Sequence, residues 1–241
     1  MNAQNSDPSG TETPAPRVLL VDNDADILEL VNAILTDDGY EVAMLQDTDH
    51  EAVAAAVGRT EPDCILLDSA GGPAFGGSWA EAAYLSKRSR AVPAVMFTAH
   101  ANAVAEARSA ETERAIEAGF AAVVSKPFTL DELLDAVGTA VGRSTRFDRS
   151  EAADRARTAE LVAELRDAGA TDIRTSERRE WATFVSPDNG NLHQLYWWQR
   201  RGLYMLGTYD DDARLELRGR YFERTAAIAA AMDGESAAFT A

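Results

Sequence analysis

Five polar side chains stand at the ends of apolar runs, and their types suit the binding of a small divalent cation and a phosphoryl group. Val18-Leu19-Leu20-Val21 ends in Asp22-Asn23-Asp24. Cys64-Ile65-Leu66-Leu67 runs into Asp68, and Ala94-Val95-Met96-Phe97 runs into Thr98. Ala121-Ala122-Val123-Val124 leads through Ser125 to Lys126-Pro127-Phe128. Carboxylates gathered at one place repel, and a hard cation with oxygen ligands relieves that repulsion. Attack of a carboxylate on phosphorus also needs positive charge on the transferring oxygens, from a metal ion and an ammonium group. Of 23 basic residues only Lys87 and Lys126 are lysines, so the compact ammonium at 126 is notable in a chain biased toward arginine. Taken singly, Asp22 to Asp24 also suit a turn and helix N-cap, Asp68 a loop start and Thr98 a strand end. The four sites in order are what point to one pocket.

That convergence requires a particular scaffold. The apolar runs have no helical period and read as buried strands, whose C-terminal ends meet at one edge of a parallel sheet. From Arg17 to about Gly142 strand and helix alternate five times: strands at 18–22, 41–45, 63–68, 92–97 and 121–125, helices at 26–38, 49–57, 79–88, 101–118 and 130–141. Ile27, Val31, Ile34 and Leu35 form the apolar face of the first helix. Thr48/Glu51, Ser78/Glu81 and Thr129/Glu132 read as capping boxes. Gly71, Gly72, Gly76 and Gly77 make a glycine-rich loop after the third strand.

Residues 1–16 read as a disordered tail and 143–150 as a polar linker. Residues 151–241 have a different texture: a charged helix at 151–168 with Leu161, Val162 and Leu165 as its stripe, strands at 181–186, 192–199, 203–209 and 214–222, and a short Ala-rich helix at 223–232. Trp181, Trp197 and Trp198 lie here, aromatic area that lets about 90 residues fold independently.

The chain has 241 residues and a formal net charge of −17, which argues against broad phosphate-backbone binding. The single cysteine, Cys64, precludes a disulfide within the chain. No apolar run approaches the roughly 20 residues of a membrane span, and the N-terminus lacks a secretory pattern. These point to the cytoplasm.

The residues of 17–142 resemble the receiver domain of two-component response regulators: an acid pair after the first strand, an Asp after the third, Ser or Thr after the fourth and Lys-Pro-Phe after the fifth. The resemblance implies a flavodoxin-like, doubly wound α/β fold with a five-stranded parallel sheet of order 2-1-3-4-5, followed here by a smaller α+β domain with antiparallel strands. It implies that Asp68 is the phosphoacceptor, and that Asp22, Asn23, Asp68 and the backbone carbonyl of Ala70 hold Mg²⁺. It implies that Thr98 and Lys126 bind the phosphoryl group, that Lys126-Pro127 is a cis peptide, and that Val123 occupies the switch position. The phosphodonor would be a sensor histidine kinase or a phosphotransfer protein, and phosphorylation would bias a surface around the fourth helix, fifth strand and fifth helix. The chain departs from the family at Asn23, in place of the second acid; at Val123, in place of an aromatic residue; at Pro73, one place later than the family's proline; and in a longer Thr98–Lys126 segment, which predicts a lengthened fourth helix.

Residues 151–241 resemble no family. Arg174, Arg178, Arg179, Arg200 and Arg201 beside Trp197-Trp198 suggest a basic-aromatic patch, though a solvated turn beside core tryptophans is the simpler account. Asp210-Asp211-Asp212 is a cation candidate or, more simply, a turn. His50, His100 and His193 have no ligand spacing. A protein-binding or homodimerising output is the first expectation; DNA binding is not favoured, and no separate enzymatic output is visible. A receiver-like scaffold that is not phosphorylated is the rival reading.

Overall fold

The structure, a computed structural model, describes residues 14–68, 76–87, 91–142, 151–176, 179–188 and 190–233. The expected tail at 1–16 (all but its last three residues), the linker at 143–150, Ala70, Pro73 and Arg178 lie outside them. Among the described residues no helix is long and apolar enough to cross a membrane.

The first half alternates strand and helix: β1 Arg17–Val21, α1 Ala25–Asp37, β2 Glu41–Leu45, α2 His50–Thr60, β3 Cys64–Asp68, α3 Gly76–Ser86, β4 Ala94–Thr98, α4 Ala101–Ser109, α5 Glu113–Ala118, β5 Ala122–Ser125 and α6 Leu130–Ala140. The five strands form one parallel sheet in the order β2-β1-β3-β4-β5. Strand periodicity divides the apolar residues between its faces. Val18, Leu20, Leu66 and Phe97 pack on one side, in a core with residues of α1 and α6. Leu19, Val21, Ile65, Leu67 and Met96 pack on the other, with residues of α2, α3, α4 and α5.

Several boundaries correct the sequence expectations. The Thr98–Lys126 segment does not form one long helix. Its first helix ends where Ala110 takes a left-handed conformation (φ 51°), and Thr112 caps a separate short one. The Thr48/Glu51 box is absent: Asp49 occupies the N-cap of α2 without a side-chain cap bond, and the helix runs through Gly58 to Thr60. Ser78 lies inside α3 rather than at its start, and Glu81 bonds His50 instead of completing a box. The Thr129/Glu132 capping box is present.

The second half comprises α7 Glu151–Asp167, β6 Thr171–Thr175, β7 Trp181–Val185, β8 Leu192–Trp198, β9 Leu203–Tyr209, β10 Leu215–Tyr221 and α8 Arg224–Asp233. Its strands form an antiparallel meander, β10-β9-β8-β7-β6. β6, a largely exposed edge strand, has no counterpart among the strands expected from the sequence. One face of this sheet, with Ala182, Phe184, Leu195 and Leu206, packs on Leu161 and Leu165 of α7 and Ile228 of α8. The other, with Trp181, Tyr196, Met205, Tyr209 and Leu215, shares a core with the first half. Here α1 meets β8 and β10. One cover of the second sheet is therefore a helix of the first half.

Seven of the thirteen α1 residues are buried, Leu28, Leu30 and Ala33 as well as the Ile27–Val31–Ile34–Leu35 face. A surface helix needs one apolar stripe; two covers require more. The C-terminal end of α1 is tied by Asp37, which accepts hydrogen bonds from the Tyr196 hydroxyl and the Gln199 and Arg200 amides. Near the other end, Asp26 accepts from the Leu217 amide at 2.9 Å and Glu29 pairs with Arg220.

Candidate functional site

The four strand ends converge as the sequence implies. Asp22 follows β1, Asp68 closes β3, Thr98 closes β4 and Lys126 follows β5. The Lys126 ammonium donates to Asp22 Oδ2 at 2.6 Å and to Asp68 Oδ1 at 2.8 Å, bridging side chains 104 and 58 positions away. It also lies over the Phe97 ring, 4.6 Å from its centre. The Lys126-Pro127 peptide is cis.

Asp22 is fully buried. Burial, opposed by Lys126 and reinforced by the charge of Asp68, pushes its carboxyl up to about 6. Its Oδ1 accepts from the Asp24 amide at 2.9 Å, and Asp24 in turn caps α1 through the Asp26 and Ile27 amides. Two carboxylates thus share one ammonium in a water-poor position, which leaves a deficit of positive charge. All the donors are hard oxygens, the ligand type that Mg²⁺ takes, so Asp22, Asp68 and Asn23 fit the metal implied by the resemblance. Among the described residues no three Asp, Glu, His or Cys side chains close on one point; an amide and backbone or water oxygens would complete such a set.

Asn23 is exposed at the rim, and its carbonyl accepts from Gln46. Thr98 is buried, its hydroxyl accepting from the His100 amide; it lies below the cavity rather than among its lining residues. Val123 is half-buried, and its carbonyl accepts from Arg108.

A cavity of about 770 Å³ opens over these groups. One wall is Asp22, Asn23, Asp24, Asp68, His100 and Lys126; the other is Asp211, Asp212, Ala213 and Arg214, the turn between β9 and β10. The Asp210–Asp212 run stands out in the sequence, but its location does not. No local signal places it there, because the approach depends on how the second sheet docks. Among the described residues a basic-aromatic patch is not assembled, in keeping with the simpler account. Arg179 bonds the Asp37 carbonyl and pairs with Asp38, and Arg200 pairs with Asp37. Trp197 and Trp198 face opposite sides of their sheet, and Arg201 lies over the Trp198 ring alone.

The response regulator receiver domain family matches residues 18–138. Similar solved structures include the receiver domain of NtrX from Brucella abortus, 30% identical, covering 53% of this chain and 99% of that one, with a TM-score of 0.43. The chemotaxis response regulator CheY4 of Vibrio cholerae is 26% identical over 52% of this chain and 98% of its own, with a TM-score of 0.42. The signal receiver domain of an HD domain-containing protein from Pseudomonas fluorescens Pf-5 is 21% identical over 56% of this chain and 93% of that one, with a TM-score of 0.46. No curated protein matches the chain.

Proposed function

Because the chain belongs to the response regulator receiver domain family, we propose that Asp68 accepts a phosphoryl group from a phosphohistidine of a sensor histidine kinase or phosphotransfer protein. The observation that carries this reading is the Lys126 ammonium bridging Asp22 and Asp68. An Asp68 oxygen attacks phosphorus; the new P–O bond forms as the P–N bond breaks, and the leaving imidazole keeps the electron pair. Lys126 offsets the charge that gathers on the transferring oxygens. Its bond to Asp22 fixes the ammonium beside the nucleophile, and Phe97 beneath it excludes water. Thr98 would donate a hydrogen bond from its hydroxyl to the phosphoryl group. Asp22, Asn23, Asp68 and the Ala70 carbonyl would hold Mg²⁺, which when bound supplies further positive charge to those oxygens.

In this reading residues 17–142 are the receiver and 151–241 the output in a cytoplasmic regulator. The output acts by protein interaction or by forming a homodimer. DNA binding is the weaker alternative, since Arg179 and Arg200 are engaged with α1. Phosphorylation would bias the surface of α4, β5 and α6. Asn23 and Val123 favour one rival, a receiver-like scaffold that is never phosphorylated. Intact mass after treatment with acetyl phosphate and Mg²⁺ separates the two: a gain of one phosphoryl group, lost in Asp68→Asn, is expected, and no gain in the native chain overturns the phosphoacceptor reading.

A further inference from the structure

The cavity over Asp68 is built by both halves of the chain, and its second wall carries a cation. Among its lining residues Lys126 and Arg214 are the permanently charged cations. Lys126 is already divided between two carboxylates. The Arg214 side chain is exposed, and among the described residues no hydrogen bond or ion pair engages its guanidinium. Asp210 turns one carboxylate oxygen, Oδ1, back onto the Asp212 and Arg214 amides rather than onto that guanidinium.

We propose that Arg214 binds the phosphoryl group carried by Asp68, so that the second domain senses the modified site by direct contact; this rests on the phosphoacceptor reading above. A phosphoryl group adds negative charge and acceptor oxygens, and a guanidinium fork pairs with such oxygens two at a time. Asp211 and Asp212 on the same turn repel the group, so Arg214 decides whether the turn is drawn to a phosphorylated site or driven from it. The turn is held at the pocket by its own strand. Leu215 is buried in the shared core, Leu217 bonds Asp26 in the first turn of α1, and Asp24, the cap of that helix, lines the same cavity. Movement of the turn is therefore transmitted to the docking of the whole sheet.

The test uses the full chain with acetyl phosphate and Mg²⁺, comparing native, Arg214→Ala and Arg214→Lys. Arg214 is exposed, so both variants fold. Intact mass follows incorporation, decay after donor removal gives the phosphoryl lifetime, and amide hydrogen exchange follows residues 210–217. Arg214→Ala is expected to gain one phosphoryl group, lose it about threefold faster than native, and lack the protection that phosphorylation gives the native turn, with Arg214→Lys between them. Native decay and native protection in phosphorylated Arg214→Ala overturn this inference alone. Absence of any mass gain in the native chain overturns the phosphoacceptor reading and this inference with it.

Discussion

The Tyr196 hydroxyl donates to Asp37 Oδ2 at 2.8 Å across 159 positions of sequence. An acid in the last turn of a helix opposes the helix dipole, and here the second sheet offsets that cost with a hydroxyl, two amides and a guanidinium. Asp37→Ala leaves the buried Tyr196 hydroxyl unsatisfied and releases the two amides at the rim of the junction. It should destabilise the chain by about 2–4 kcal/mol. Urea unfolding checks this, and native stability in the variant would show the junction to be dispensable.

One buried group in each half of the chain is shifted in the opposite sense with respect to acid. His193 is buried, stacked near Phe184 and bonded to Thr208. Burial first, and then Arg218, hold its imidazole down to about 4 from an ordinary 6.5. The neutral ring's contribution is therefore full above pH 6.5 and is lost as pH falls toward 4, a change of about 3 kcal/mol. Asp22 is raised from 3.8 to about 6, so its contribution is full below pH 4 and is lost as pH rises through 6. In metal-free buffer, the stability gap between native and His193→Gln should be smaller at pH 4 than at pH 7 by about 3 kcal/mol. Denaturant titrations at the two pH values measure it; a constant gap would mean that His193 does not titrate as described.

Asn23→Asp restores a second rim carboxylate next to Asp22. With Mg²⁺ held as proposed, its affinity should rise about tenfold, read by calorimetric titration. An unchanged affinity would place the ion away from residue 23.

Much of the first half was legible because its central strands, β1, β3 and β4, are buried. Leu19, Leu20, Ile65 and Leu66 make unbroken apolar runs, and the polar residue ending each run marks the sheet edge. The Asp22–Asp68–Lys126 contact follows from that edge. What stayed hidden had no local signature. The break at Ala110 is a left-handed alanine rather than a glycine, and propensity alone does not foresee it. The caps of α2 and α3 matched a pattern that tertiary contacts overrode: Glu81, read as a capping acid, is instead buried against His50. The docking of the second sheet did leave a trace, in the burial of Leu28 and Leu30 off the main stripe of α1 and in the acids at its last turn. A single-stripe reading of that helix passed over both.

The apolar outer flank of α1 also bears on recombination. Domains joined only by a tether share no core, so exchanging one leaves the packing of the other intact. This meander cannot be grafted onto a receiver whose first helix presents a polar flank, because Trp181, Tyr196 and Leu215 would meet water there. Any successful chimera must carry α1 along with the sheet that covers it.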